Sequence, residues 1–589
     1  MNKVSFTSSY IDSKYNAVSL FNTSFSNVGI KENILSVTDG TSPGSSVVSN
    51  VNNNFMAGNY PEGVLVESNT LTANGDAVGI RSSFNTFTSI ESNIIRTQSK
   101  SKGDGVVLEN DFGTVVSCNQ FIQNGSTEDN KAAGIFNKTA AFSFIQCNEM
   151  NDFPKGMEFF GPNLDDIIKG NEFNNHYVGL LYDHEAVTGE QKWNGNTWNN
   201  TYAWYGAAHT SLNDKLIQQS EYRVDSGNFP THGTTVFTAN ISADWFIINS
   251  QNYSFHCSPE SSCLFGAPQI FGSAPNRDSL NLAISNDSLH SSVYPGSYAW
   301  MAKRQLYSSF LHWPGSLQEH ADYQSFYNTY TNQSVGKFAS IENKIRFGGA
   351  PTYSQMQNMA SYRASQANMV RLLDSLENMT VPNLPAISQA YNYLNTTKQN
   401  ADQIIQGIYL SRDTVLQTQQ SENTAINTSY IYESNQKTAN NLLFKVLALG
   451  ITNLDSTEIS QLEDIAEQCP LEGGEGVYTA RSILVQIGEY DYNDRDLCEI
   501  VEEREIKTKD LGLNSGFFPN PASNEITLII PANKVCQRVS ISNSLGQVLL
   551  IEKSPLNGHS MDLSGFANGI YFLEFDFVDS TESQKLIKN

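Results

Sequence analysis

The sequence predicts a multidomain chain: a coil of short parallel strands, a β-rich cap, long helices, and a small β-sandwich at the C-terminus. Three observations predict it. An apolar-x-x-Asn-x-apolar motif recurs through the first 200 residues. Residues 351–510 are rich in Gln and Asn and carry helical apolar spacing. From Phe517 onward the chain alternates into strands punctuated by Pro, Gly and Asn turns.

The coil comes first, at 1–205. The motif appears as Ile30-Lys-Glu-Asn33-Ile-Leu35 and again around Asn54, Asn69, Asn93, Asn119, Asn148, Asn171 and Asn196. Successive asparagines are 21, 15, 24, 26, 29, 23 and 25 residues apart. A second element, Gly-apolar-apolar, recurs at Gly105, Gly134, Gly156 and Gly179. A fixed period of short strands and turns means one rung per repeat, with like positions stacked along an axis. The pattern resembles the right-handed parallel β-helix of the pectate-lyase-like kind. In that reading Asn93, Asn119, Asn148, Asn171 and Asn196 form a ladder at one corner, where asparagine tolerates left-handed backbone and its amide bonds to the next. The 15-residue step from Asn54 to Asn69 is too short for a full rung. Cys118 and Cys147 each precede a ladder asparagine, which predicts adjacent sulfurs, stacked or bonded.

Residues 206–275 read as a β-rich cap over the open end of the coil. Cys257 and Cys263 bracket a short loop and suggest a local disulfide. His256 offers a metal clip as the alternative, but no second ligand pair accompanies it. Residues 276–350 take helical spacing, from Trp300 to Leu311 and again at Phe326, Tyr327 and Tyr330. In 351–510 a helix over 354–378 is broken by Val381-Pro-Asn-Leu-Pro385. A second pattern runs from 386 to 447 without proline, giving a helical hairpin or coiled-coil stalk. Gly473-Gly474 at a helix start reads as helix–turn–helix packing rather than a phosphate cradle, since no Lys or Arg stands at the loop. Cys469 and Cys498 are candidates to pair.

The final module spans 514–589. Pro519-Asn520-Pro521 fixes an extended entry, Gly546 sits in a turn, and Gly569 and Tyr571 open a strand. Lys585 begins the basic ending KLIKN. The order PNPAS, GQ, DLSG…NGIYF, KLIKN resembles the type A C-terminal sorting domain of the type IX secretion system. The resemblance implies handling by that machinery and a secreted or cell-surface destination.

Composition agrees. Net charge is −24 and charged residues are only 16%, so a polyanion such as nucleic acid is excluded as a partner. No apolar run reaches the length of a membrane span, so an integral membrane protein is not expected. The start lacks the apolar core of a signal peptide, from which residue 1 is expected not to be the natural start.

Function is then a choice between binding and catalysis. Polysaccharide lyases of the resembled fold need a calcium-binding carboxylate cluster and a basic residue, and hydrolases need paired carboxylates. Asp76, Asp104 and Asp165-Asp166 are the acidic candidates, and none falls into such a motif. No catalytic residue, metal site or cofactor is assigned. The expectation is a non-catalytic adhesion or polysaccharide-binding protein, with Tyr182, Trp193, Trp198, Trp204 and Tyr205 as candidates to stack on sugar rings. A lyase or glycoside hydrolase acting on an acidic polysaccharide is the alternative.

Overall fold

The computed structural model describes residues 4–588 apart from 8–9, 14–15, 22–27, 38–44, 52–62, 99–102, 124–131, 231–233, 237–244, 249–254, 258–277, 499–515, 519–521, 523–524, 531–535, 544–546, 556–558, 578–580 and positions 212, 292, 350, 382, 489 and 491. The chain divides into two units, 1–498 and 499–589.

The first unit opens as a parallel β-solenoid. Its first wall is a seven-stranded parallel sheet, from Val4–Thr7 to Ile167–Lys169. The other two walls join into one sheet, because the long strand Glu172–Val187 runs through both. Like positions stack in register, for example Val116 with Ile145 and Val106 with Ile135. The inward columns Ile90, Val116, Ile145, Ile168 and Ile95, Phe121, Met150, Phe173 are fully buried. Gly105 belongs to a column packed so closely that a Cβ there would stand 2.5 Å from the Gly134 carbonyl oxygen and 2.6 Å from Phe121. No side chain fits without moving backbone.

The asparagine column begins at Asn33. Asn33, Asn69, Asn93, Asn119, Asn148, Asn171 and Asn196 follow one another, and from Asn69 on each Oδ1 accepts from the backbone N–H and the Nδ2 of the asparagine before it. The second Nδ2 hydrogen goes to a carbonyl of the preceding rung, as from Asn148 to Val116 at 2.8 Å. Every amide group in the column is thereby used. Two expectations are corrected. The column passes directly from Asn33 to Asn69, and Asn54 lies outside the described residues. The left-handed residue at this corner is the one before each asparagine: Glu32, Ser68, Ser92, Cys118, Cys147, Gly170 and Gly195 all have φ between 54° and 66°. The asparagine supplies hydrogen bonds, and its neighbour supplies the turn.

Parallel pairing does not stop at 205. Thr197–His209 pairs with Thr234–Val236, and Gln191–Lys192, Tyr222–Val224 and Phe246–Ile248 form a further parallel sheet. The segment expected to cap the coil instead continues its parallel strand pairing, with Trp245 and Phe246 in the solenoid core.

Helices follow from Asp278. Their apolar faces share one core with the outer side of the third wall, joining Phe136 and Phe160 to Tyr298, Leu306 and Phe338. Polar contacts tie the two layers. Tyr298 donates to the Glu185 carbonyl at 2.8 Å, and Gln305 Nε2 donates to the carbonyls of Thr139 and Pro162. Helices Tyr353–Glu377 and Leu384–Thr424 pair as a hairpin. The pattern expected to run unbroken from 386 to 447 is two helices, the second being Ile431–Leu449. No proline or glycine makes the break. Lys437 Nζ donates to the Ile426 carbonyl and Glu433 accepts from the Ser429 and Tyr430 N–H groups, so side chains satisfy groups that the break frees, and Asn423 ties the two helices by donating to the Lys437 carbonyl and Asn441.

The second unit is two antiparallel sheets around a single apolar core. Gly516–Phe518, Glu525–Ile529 and Ser560–Asp562 form one sheet. Val548–Lys553, Cys536–Asn543, Gly569–Phe577 and Thr581–Lys588 form the other. Tyr571 donates to the Ala567 carbonyl at 2.7 Å and packs edge-on against Phe566, which fixes the turn before its strand. Gly569 pairs with Lys588, and Lys585 lies exposed on the last strand. Pro519, Asn520, Pro521 and Gly546 lie outside the described residues.

Candidate functional site

Three places in the first unit concentrate chemistry. One is the ladder corner. After the last coil, residues 255–257 return across it: the Phe255 N–H donates to the Trp193 carbonyl, Lys169 Nζ stands 4.5 Å from the Phe255 ring centre, and Cys257 is bonded to Cys147. A Cβ on Gly195 would stand 1.8 Å from the Phe255 carbonyl oxygen, so the strap is admitted by glycine at that corner. This corrects the local Cys257–Cys263 bridge. Cys118 and Cys147 occupy equivalent corner positions, yet Cys147 bonds to the strap rather than to its neighbour. Parallel rungs present parallel Cβ vectors, which favours a partner lying over the corner. Cys118 is also disulfide-bonded, and Cys263 lies outside the described residues. Cys469 and Cys498 are joined, with Cα atoms 4.8 Å apart.

The second place is the seam between the third wall and the helices. Arg495 forms a fork to Glu158, reaches Asp104 at 3.3 Å and lies 4.0 Å from the Phe136 ring centre. Lys155 meets Glu158 at 2.8 Å. Lys138 bridges Glu109 at 2.9 Å and Asp494 at 3.1 Å, and Arg81 and Arg481 close the chain at either end. Farther along, Arg304 holds both Glu342 and Glu475, and Arg346 donates to the carbonyls of Asn85 and Asn110.

These charges set each other's titration. Burial alone would raise Glu109 and Glu158. Lys138 and Arg81 overcome this at Glu109, and Arg495 and Lys155 at Glu158, holding both below the usual carboxylate range. Asp104 is raised, because burial outweighs Arg495. Burial pushes Asp111 up to about 7 against hydrogen bonds from Ser82 and the Asn85 N–H, and Glu475 up to about 7 against Arg304.

A stability profile follows. Asp111 and Glu475 bind protons more tightly folded than unfolded. The stability they contribute is present below about pH 4 and is lost as pH rises from there to about 7. Glu109, Glu158 and Asp494 are lowered, so their contribution is present above the usual carboxylate range and lost as pH falls through it. Burial holds His176, His209 and His312 down, to about 4, 3 and 4, so their contribution is present above the usual histidine range and is lost as pH falls through it. The two sets oppose each other between about pH 4 and 7, so the contribution of Asp111 is read as a difference between variant and parent. The melting temperature of Asp111→Asn relative to the parent should rise from about pH 5 to pH 8. A difference that does not change with pH would contradict the assignment.

A crevice lined by Asp111, Arg304, Glu342, Arg346 and Glu475 opens along this seam. Its interior has room for about one water molecule. Of the acidic candidates, Asp104 is engaged by Arg495, Asp165 accepts from Asn281, and Asp166 accepts from Asn137 and the Ser143 N–H. Asp76 is exposed.

The third place is aromatic. Tyr182 and Trp198 are in the solenoid core and are removed from the candidates. Trp193 is half-buried beside the strap. Trp204 and Tyr205 lie on the outer side of strand Thr197–His209, where Tyr177 joins them. Ring centres are 5.5 Å apart for Tyr177 and Trp204 and 5.1 Å for Trp204 and Tyr205. Val178, Leu181 and Ala208 form the floor beneath Tyr177 and Trp204. All three rings are half-buried. Register shifts between Asn174 and Val178 turn the chain here, with Asn175 at φ 58° and Asn200 at φ 64°. Tyr177 carried no sequence signal beyond its spacing from Trp204, 27 residues or about one coil.

No curated protein and no solved structure matches the chain. No helix among the described residues is long and apolar enough to cross a membrane. Residues 516–589 match the secretion system C-terminal sorting domain. The chain thus carries a type IX sorting tail, which marks it as a protein secreted or anchored on the outer cell surface.

Proposed function

We propose that the solenoid of this exported protein binds carbohydrate without cleaving it, in an adhesive role at the cell surface. The observation that supports this reading is the Tyr177–Trp204–Tyr205 cluster. Part-exposed rings held on a rigid apolar floor offer a flat face to the C–H side of a sugar. The exposed amides of Asn199 and Asn200, on the same strand, suit its hydroxyls. The coil carboxylates named above are engaged in ion pairs and hydrogen bonds, which favours binding over acid–base cleavage. The charge of −24 disfavours an acidic polysaccharide and favours a neutral one.

A glycan array with the full chain tests the reading. Saturable binding to neutral polysaccharide is expected, and Trp204→Ala should weaken it about tenfold or more. An array without binding, or a variant that binds as well as the parent, would sink it.

A further inference from the structure

The solenoid corner beside the ring cluster repeats one conformation on three successive rungs. Asn151, Asn174 and Asn199 pair in register along strands Glu149–Asn151, Glu172–Val187 and Thr197–His209. The residue after each of them, Asp152, Asn175 and Asn200, has φ of 62°, 58° and 64°. Left-handed backbone is uncommon outside glycine, so three cases at one place mean that the corner turns the same way on each rung. The three side chains therefore leave it in parallel. The first two are tied together: the Asp152 N–H donates to the Asn174 carbonyl at 3.0 Å, and Asn175 Nδ2 donates to Asp152 Oδ1 at 3.2 Å. Asp152 and Asn175 are half-buried, and Asn200 is exposed.

The rings run beside this column. Tyr177 is two residues past Asn175, a reach of at most about 7 Å. On the last rung, Asn199, Tyr202 and Tyr205 pair with Asn174, His176 and Val178, so the chain there holds one extra residue in each interval. These extra residues bring Trp204 beside Tyr177, with ring centres 5.5 Å apart. Asn200 keeps its place one residue past the Asn174–Asn199 pair.

Two columns thus follow the solenoid axis, a polar one over three rungs and an apolar one over two. Like positions advance about 4.8 Å per rung. One pyranose unit of an extended β-linked chain advances by a similar length. A chain laid along the axis meets one polar side chain per sugar, and its C–H side meets a ring on two of them. A chain laid across the rungs meets the column at one sugar only. The polar set selects further. The Asp152 carboxylate accepts from hydroxyls, and the amides of Asn175 and Asn200 both donate and accept. A uronic acid at Asp152 would bring two carboxylates together, which disfavours both charges.

We propose, on the carbohydrate reading above, that this site takes an extended β-linked neutral polysaccharide laid along the solenoid axis. Three consecutive sugar units lie on the rungs of Asp152, Asn175 and Asn200, and Asp152 and Asn175 are specificity-determining residues.

Calorimetric titration of the full chain with β-1,4-linked gluco-, xylo- and manno-oligosaccharides of one to six units tests this. In at least one series, affinity is expected to climb up to three units, by about tenfold from two to three, and then to level off. Asp152→Ala should remove that last tenfold step and leave the disaccharide bound as by the parent. Asp152→Asn, which can still accept from Asn175, should keep part of the step. A merely structural role for Asp152 would weaken every length alike, and that result overturns the proposal. So does an affinity equal for one unit and six, or still climbing at six. Binding on the glycan array with none to these three series overturns it too, while leaving carbohydrate binding intact. An array without any binding removes the carbohydrate reading and this proposal with it.

Discussion

Replacing Arg495 with alanine is expected to destabilise the first unit by about 3–5 kcal/mol, the scale for removing one partner of a buried ion pair. The guanidinium is the main cation facing Glu158, whose side chain is fully buried, and it also faces Asp104. Without it, Glu158 keeps Lys155 alone. Asp104, already raised by burial, loses its nearest cation and should rise further. Phe136 loses the planar group 4.0 Å from its ring centre. Lysine should recover only part of the loss, since it cannot reproduce the fork to Glu158. Chemical denaturation read at the seam checks this. A variant within 1 kcal/mol of the parent would mean that water enters the seam and screens the pair, contrary to the burial described.

Asn148→Ala should cost about 2–4 kcal/mol. The asparagine is 1% exposed and sits mid-column. Its loss strands the Asn119 N–H and one Nδ2 hydrogen and takes the side-chain donor from the Val116 carbonyl, while the Oδ1 of Asn171 keeps the backbone N–H of residue 148. Each buried group left without a partner costs about 1–3 kcal/mol, and partial collapse or water entry reduces the sum. Ser92→Ala, at the half-buried left-handed position before Asn93, loses no ladder bond and should cost far less. If both variants melted together near the parent, the column would be incidental to stability.

The solenoid was legible because its information is periodic. One asparagine is ambiguous, but a column of them with matched apolar flanks is not, and the same holds for the stacked glycines. The division of labour at the corner was not legible. Left-handed geometry falls on Ser92, Cys118 and Cys147, residue types that do not announce it. The seam was invisible for a different reason: Arg495 and Glu158 are 337 residues apart, and no local pattern links them. The Cys147–Cys257 bond, across 110 residues, hides in the same way. For the aromatic candidates, strand alternation should have separated Tyr182 and Trp198 from Trp204 and Tyr205. Register shifts near Asn174 and His176 break that alternation, so inward and outward rings could be told apart only in three dimensions. The helix break at 425–430 lacks proline and glycine, and the Lys437 and Asn423 side-chain bonds around it span 11 to 18 residues.

The most direct measurement concerns turnover. The full chain should be incubated with the polysaccharide it binds best on the array, and with an acidic polysaccharide beside it. New reducing ends and the ultraviolet absorbance of unsaturated uronides should be followed over many hours. Binding that Trp204→Ala weakens, with neither signal rising above a protein-free control, is the predicted result. Release of either product, abolished by substituting Glu475 or Asp111 in a variant that still folds, would contradict the account and place an active site in the seam.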